Sequence, residues 1–293
     1  MRKWIIALFL IASTSYGSNI TNEVEAFGNN YLAPVSAFGD YWLYDRPGGA
    51  PVGPPWDVTA SQMGHWKCND AAANTTLVDD SGQSNNGTLT GGDNTQDVSQ
   101  DPGKIVKSLL LNGIDDSLNL STVVGDISGS STGSVSFWLK PTDVTQTTDA
   151  LFQFGDASAV EFIRLVTDLT AGKLRARMYR SAAQSWDFTT DNVIATNNVW
   201  MYLVMNHEGT EPSLYFNGSL TAITFNTTTA KTHWWPKLAG FDSARFGCRE
   251  QSGVESIFLG GQYDDIRILD RPLSTNEITR IYNDGNGTEA DSN

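Results

Sequence analysis

The chain has 293 residues, with 33 Asp and Glu against 19 Lys and Arg, a net charge of −14 at pH 7. A field of that sign repels nucleic acid and anionic membranes and favours divalent cations, so neither nucleic acid nor a lipid surface is an expected partner. Cys68 and Cys248 are the only cysteines, too few for a disulfide framework, and neither belongs to a CxxC pair or stands at a zinc-site spacing from His65, His207 or His233.

The chain opens with MRK, a short apolar run from Trp4 to Ala12, and STSYG. That order predicts a secretory signal peptide over residues 1–17, with small Ser15 and Gly17 at the cleavage positions. The apolar run is too short to cross a hydrocarbon core of about 30 Å, so no stable membrane span is expected. The expected location is secreted, extracellular or at the cell surface. Removing 17 of 293 residues leaves 276 and takes Arg2 and Lys3 with it, moving the charge from −14 to −16.

Residues 18–60 form an aromatic extension carrying Phe27, Tyr31, Phe38, Tyr41, Trp42 and Tyr44, followed by a Pro/Gly-rich linker from Pro47 to Pro55. Beyond it the pattern changes to short runs of period two separated by polar turns. In SVSFWLK (134–140), Val135, Phe137 and Leu139 share one face, with Ser134, Ser136 and Trp138 on the other. In KLRARMYR (173–180), Leu174, Ala176 and Met178 alternate with Arg175, Arg177 and Tyr179. Successive strands of this kind without intervening helices predict two antiparallel sheets packed face to face. One short helix is expected near the end, where Ser274 and Glu277 have capping-box spacing before Ile278, Ile281 and Tyr282, stopping around residues 283–285. Residues 286–293 read as a polar tail.

Taken in order, HWKCND (65–70), LVDDSGQSNNGTLTG (77–91), SLLLNGIDDSLNL (108–120), GSVSFWLKP (133–141), NVWMYLVMNHEG (198–209), LYFNGSL (214–220) and GGQYDDIRILDRPLSTNEI (260–278) resemble the successive segments of a laminin-G-like domain over residues 61–285. The resemblance implies an all-β, concanavalin A-like jelly-roll sandwich. Such domains serve in secreted proteins as glycan- or protein-binding modules. The fold also resembles that of polysaccharide-cleaving enzymes, and retaining glucanases need two carboxylates about 5 Å apart. The alternating Glu, Asp and Glu run of those relatives is missing from this sequence.

Strand alternation places Asp264 with Ile266 and Ile268, and a carboxylate on an apolar face must be paired, hydrogen-bonded or bound to a cation. In related jelly rolls an Asp near this point of a late strand holds a structural calcium, for which Asp70 is the expected partner here; a hydrogen-bonded core acid is the alternative. Asp79, Asp80, Asn85 and Asn86 read first as a turn and second as a cation loop. Export permits a disulfide between Cys68 and Cys248, with two free buried thiols as the alternative. Trp186, Trp234 and Trp235 are the candidate ligand-binding aromatics, either stacking on sugar or packing internally. The leading functional expectation is a non-catalytic module for polysaccharide or glycoprotein glycan. A structural or adhesive subunit contacting neighbouring copies of itself comes second, and a polysaccharide-degrading enzyme third.

Overall fold

The computed structural model describes residues 43–44, 51–52, 56–70, 72–91, 100–146, 148–158, 160–180 and 183–292. The expected signal segment and the aromatics Phe27, Tyr31, Phe38, Tyr41 and Trp42 lie outside them. Two units divide at Pro54 and Pro55. In the first, β1 (Leu43–Tyr44) and β2 (Pro51–Val52) pair as a small antiparallel ribbon.

The second unit is the predicted sandwich. Its strands are β3 (Gln62–Trp66), β4 (Thr76–Leu77), β5 (Gly87–Thr90), β6 (Gln100–Pro102), β7 (Lys107–Asn112), β8 (Ser117–Asn119), β9 (Gly133–Pro141), β10 (Ala150–Gly155), β11 (Phe162–Thr167) and β12 (Leu174–Arg180). They continue with β13 (Ala183–Thr190), β14 (Met201–His207), β15 (Pro212–Phe216), β16 (Ser219–Leu220), β17 (Ile223–Thr227), β18 (Ser243–Phe246), β19 (Arg249–Gln251), β20 (Val254–Ser256) and β21 (Gly260–Leu269). One sheet has nine strands in the order β17-β13-β12-β11-β10-β18-β8-β5-β4. The other has eight, ordered β16-β15-β14-β9-β21-β7-β6, with β3 also paired to β21. The β19–β20 hairpin stands apart, and a one-turn helix α1 (Val124–Ile127) links β8 to β9.

The inward faces follow the sequence alternation. Val135, Phe137 and Leu139 of β9 meet Leu174, Ala176 and Met178 of β12 in one large core between the sheets. The Asn217-Gly218 pair turns β15 into β16 with φ of 48° and 81°, a conformation that suits the twist of a hairpin.

The outer face of the eight-stranded sheet is also apolar, and it is sealed by α2 (Thr275–Tyr282). Ser274 and Glu277 form the expected capping box. Ile278 and Ile281 are fully buried against Trp138, Tyr202 and Val204, each side chain contributing roughly 1.5–3 kcal/mol. Trp56 and Val58 complete this layer, and Val58 donates its N–H to the Asp291 carbonyl. Residues 56–58 and 288–292 therefore belong to the body of the domain. Among the described residues, no helix is long and apolar enough to cross a membrane.

Candidate functional site

Strand β21 is the longest among the described residues, and its middle decides the surrounding chemistry. One of its edges pairs with β9, while the other is shared by β7, opposite Gly260–Tyr263, and β3, opposite Ile266–Leu269. Asp264 and Asp265 fall at the junction, where Asp265 adopts φ 47° and the register against β9 slips by one residue. Such a bulge shifts the alternation. Asp264 consequently lies on the Trp138 side of the sheet while Ile266 and Ile268 face the inner core, correcting the expectation that the three share a face.

The bulge supports a buried ionic network. Asp265 accepts from His65 Nε2 at 2.7 Å and from Arg267 Nε and Nη2 at 3.2 and 3.1 Å, and all three side chains are fully buried. Arg267 also donates to the Thr288 and Ala290 carbonyls, and its Nη1 lies 3.4 Å from Asp291. Burial alone would raise the Asp265 carboxyl, but Arg267 and His65 outweigh it and hold it below the usual range. This network ties the C-terminal segment to β3 and β21, which is structural work.

Asp264 accepts from the Lys104 and Ile105 N–H groups through Oδ2, at 2.8 and 2.9 Å. Its Oδ1 is buried without a hydrogen-bond partner, and burial raises its pKa to about 7. Asp70 is half-buried, and its Oδ2 accepts from the Val78 N–H at 3.3 Å. Both acids lie close enough to the Cys68 thiol to raise its pKa, behind the larger effect of burial. Among the described residues no group of three or more His, Cys, Asp or Glu side chains is gathered for a metal, so a calcium held here would draw most of its oxygens from carbonyls, amides or water. The orphaned Oδ1 fits one position of such a set. Asp79 does not, because it accepts from the N–H groups of His65, Ser81 and Asn85 and from the Ser81 hydroxyl as the organiser of its own turn.

Cys68 and Cys248 are free and buried, so the disulfide expectation is overturned. The reason is location. Cys68 lies among Asp264, Asp265, Asp70 and Glu289, whereas Cys248 lies by Glu255, Ser117, Arg245 and Glu250, where burial pushes its thiol up to about 12.

The three candidate tryptophans are internal. Trp186, Trp234 and Trp235 are at most 1% exposed and belong to the core between the sheets. Trp234 stacks on His207 at 4.8 Å and on Trp186 at 6.4 Å, while Trp235 reaches Phe154. Neighbours along a regular strand cannot both point inward, but these two enter a 3₁₀ turn over Trp235–Lys237, which turns both rings the same way. Gly133 is required beneath them, since a Cβ there would stand 2.3 Å from the Trp235 ring.

The outer face of the nine-stranded sheet differs from that of the eight-stranded sheet. Its cross-strand register aligns Asn119, Arg245, Gln153, Arg164, Arg177 and Asp187 in one row over β8, β18, β10, β11, β12 and β13. Five inter-strand steps of about 4.8 Å make that row roughly 24 Å long. Beside it, Phe162 and half-buried Tyr179 stack at 5.5 Å, and the Arg164 guanidinium lies 3.8 Å from the Phe162 ring centre. Among the described residues no apolar cluster covers this face as α2 covers the other, although Gln153, Arg164 and Asp187 are buried within the row and Glu250 of β19 bonds to Gln153 and Arg245. The alternation in KLRARMYR announced Arg175, Arg177 and Tyr179. Arg164, Gln153 and Arg245 were missed because single polar residues in FIRLVT, ALFQFG and SARF carry no signal until register brings them together.

At the loop end, an open groove lined by Asn112, Thr142, Asp143, Asp149 and Ile257 is acidic, and burial, reinforced by Asp143, raises Asp149 to about 6. Several solved structures share the fold. Domain 4 of the extracellular arabinanase AbnA from Geobacillus stearothermophilus, in complex with arabinotriose, superposes with a TM-score of 0.54 at 21% identity, over 75% of this chain and 97% of that one. The CBM40 of the Ruminococcus gnavus IT-sialidase, bound to α2,3-sialyllactose, gives 0.51 at 14%, over 60% and 96%. The receptor-binding domain of botulinum neurotoxin C/D mosaic serotype gives 0.54 at 16%, over 77% of this chain and 52% of that one. No curated protein sequence matches the chain. The Laminin_G_3 family, described as the concanavalin A-like lectin/glucanases superfamily, matches residues 112–279, more than half of the sequence, and the chain belongs to that family.

Proposed function

We propose that this protein is an exported, non-catalytic recognition module that binds glycan, free or carried on glycoprotein, through the outer face of its nine-stranded sheet. The observation that carries the reading is the contrast between the two outer faces. One is closed by α2 and the terminal segments, and the other carries a polar row in which Asn119, Arg245 and Arg177 are part-exposed, beside half-buried Tyr179 stacked on Phe162. Sugar recognition needs both, flat rings for the C–H faces and amides, carboxylates and guanidiniums for the hydroxyls. Two relatives that share the fold hold oligosaccharides, arabinotriose in one and α2,3-sialyllactose in the other, which supports a sugar ligand. The segment 1–17 supports export. A calcium at Asp264, with Asp70 nearby, is the proposed structural cofactor; it would neutralise a buried carboxylate and brace the junction of β3, β7 and β21.

Affinity electrophoresis of the secreted chain through gels containing soluble polysaccharides tests the reading. Retardation by at least one polysaccharide, weakened by Tyr179→Ala and unaccompanied by new reducing ends, is the expected result. New reducing ends would replace it with the enzymatic reading. Free migration in every gel, with large assemblies in light scattering, would replace it with the adhesive one.

A further inference from the structure

We infer that Arg164 and Arg177 form a subsite for the carboxylate of an acidic sugar residue, so that the ligand of the nine-stranded face is an anionic glycan. The inference rests on the glycan-binding reading and names its ligand class.

The pairing of the neighbouring arginines isolates these two. Arg175 holds Asp187 through Nε at 2.8 Å, and Asp187 also accepts from Gln184 and Asn226, so its oxygens are occupied. Arg245 is bound by Glu250 at 2.9 Å and lies 3.3 Å from Glu255, and Arg249 donates to Ser256. Arg164 and Arg177 stand directly opposite each other on β11 and β12. Neither makes a hydrogen bond or ion pair with any described residue, and the Nε of each is buried without a partner. Arg164 is only 8% exposed.

This arrangement is costly in the unliganded molecule. Like charges directly opposite across strands repel, and a buried guanidinium with unfilled donors loses its hydration without replacement. Burial, with Arg177 and Arg249 adding to it, lowers the Arg164 pKa to about 9. Asp187 of β13 stands opposite Arg177 and, with Asp168, offsets part of its charge, but its oxygens are bonded to Arg175, Gln184 and Asn226, so no carboxylate makes a hydrogen bond to either arginine of the pair. An external carboxylate would remove each defect at once, because its two oxygens match the guanidinium fork and its charge offsets both arginines. Half-buried Tyr179, held by its stack on buried Phe162 beside Arg164, offers an apolar surface to the ring that carries the carboxylate.

Polygalacturonate, hyaluronan and polysialic acid, each beside its carboxyl-reduced form, and dextran sulfate are the probes, with affinities measured on the secreted chain by calorimetry or affinity electrophoresis. At least one carboxylated polymer should bind tenfold or more tightly than its reduced form. Arg164→Gln and Arg177→Gln should each weaken that binding at least tenfold, while the melting temperature of the unliganded protein stays level or rises as the repulsion is removed. Arg177 is half-buried, so R177Q keeps the test open if R164Q does not fold. Equal binding of charged and reduced polymers would overturn the carboxylate subsite and leave glycan binding standing. Binding of dextran sulfate alone, or full affinity in the R164Q/R177Q double variant, would overturn the subsite. Silence towards every charged and neutral polymer would overturn both.

Discussion

Replacing Arg267 by Met removes the centre of the buried network while keeping much of the side-chain length. Arg267 and Asp265 are fully buried, and the guanidinium also holds the Thr288 and Ala290 carbonyls. The substitution leaves Asp265 facing only His65 and leaves two carbonyls without that donor. Removing one partner of a buried pair costs about 3–5 kcal/mol, because the remaining charge stays desolvated. For a domain of this size, each kcal/mol moves the melting temperature by about 2–4 °C, so a fall of roughly 6–20 °C is expected. Melting and urea unfolding, both in chelator so that metal binding does not contribute, provide the measurement. Hydrogen exchange should accelerate over residues 288–291 before the rest of the sandwich responds. Adding Asp265→Asn, which tolerates the positive φ of the bulge, should recover part of the loss by removing the stranded charge. A loss below about 1 kcal/mol for Arg267→Met, with unchanged exchange at the C-terminus, would refute the idea that this network clamps the chain end.

Two further outcomes follow from named contacts. Calcium at 100 times its dissociation constant should add about 2.7 kcal/mol to stability, magnesium should not replace it, and Asp264→Asn should abolish the increment; superimposable melting curves in chelator and in calcium would remove the site. Burial raises the Glu277 carboxyl, but Arg271 and the Ser274 cap outweigh that and hold it below the usual range, so its stabilisation is full above about pH 4.5 and is lost as pH falls through the lowered value. Glu277→Gln should therefore cost about 1.5–3 kcal/mol at pH 7, and the gap from the unmodified protein should close on acidification; a gap independent of pH would assign the loss to packing.

The sandwich was legible in the sequence because its determinants are local. Alternation in SVSFWLK and KLRARMYR sets which side chains face inward, Asn-Gly sets a hairpin turn, and Ser274 with Glu277 starts the helix. Alternation did not reveal that both sides of β9 are dry, since the burial of Trp138 depends on α2 arriving from more than a hundred residues away. The parity argument failed at Asp264 for a comparable reason. A single residue in the left-handed region, Asp265, resets the faces, and Asp occupies that region without the sequence mark that a glycine would leave. Trp234 and Trp235 take the internal-packing reading, and both can turn inward because a 3₁₀ turn obeys no two-residue period. The cysteines illustrate the limit of counting, since two lone thiols in a chain expected to be exported permit a bridge and only their separate neighbourhoods exclude one.

The arginine pair makes a particular kind of recognition out of an unfavourable overall field. With a net charge of −14, the chain repels a polyanion at long range, so electrostatic steering does not raise the rate of encounter. Screening in physiological salt reduces that repulsion beyond about 8 Å, leaving the contact zone to decide the outcome. There the Nε groups of Arg164 and Arg177 already lack hydration and hydrogen-bond partners, so part of the desolvation that an exposed arginine would undergo on binding is complete before the ligand arrives. Selectivity for a carboxylate then comes from complementarity at one short stretch of β11 and β12, flanked by arginines already neutralised by Asp187 and Glu250. A ligand whose charges are spread evenly gains there only what falls on this pair and meets acidic surface elsewhere. The face is therefore suited to a glycan with spaced carboxylates separated by neutral sugar, with a ring on half-buried Tyr179 and a carboxylate on the arginine pair beside it.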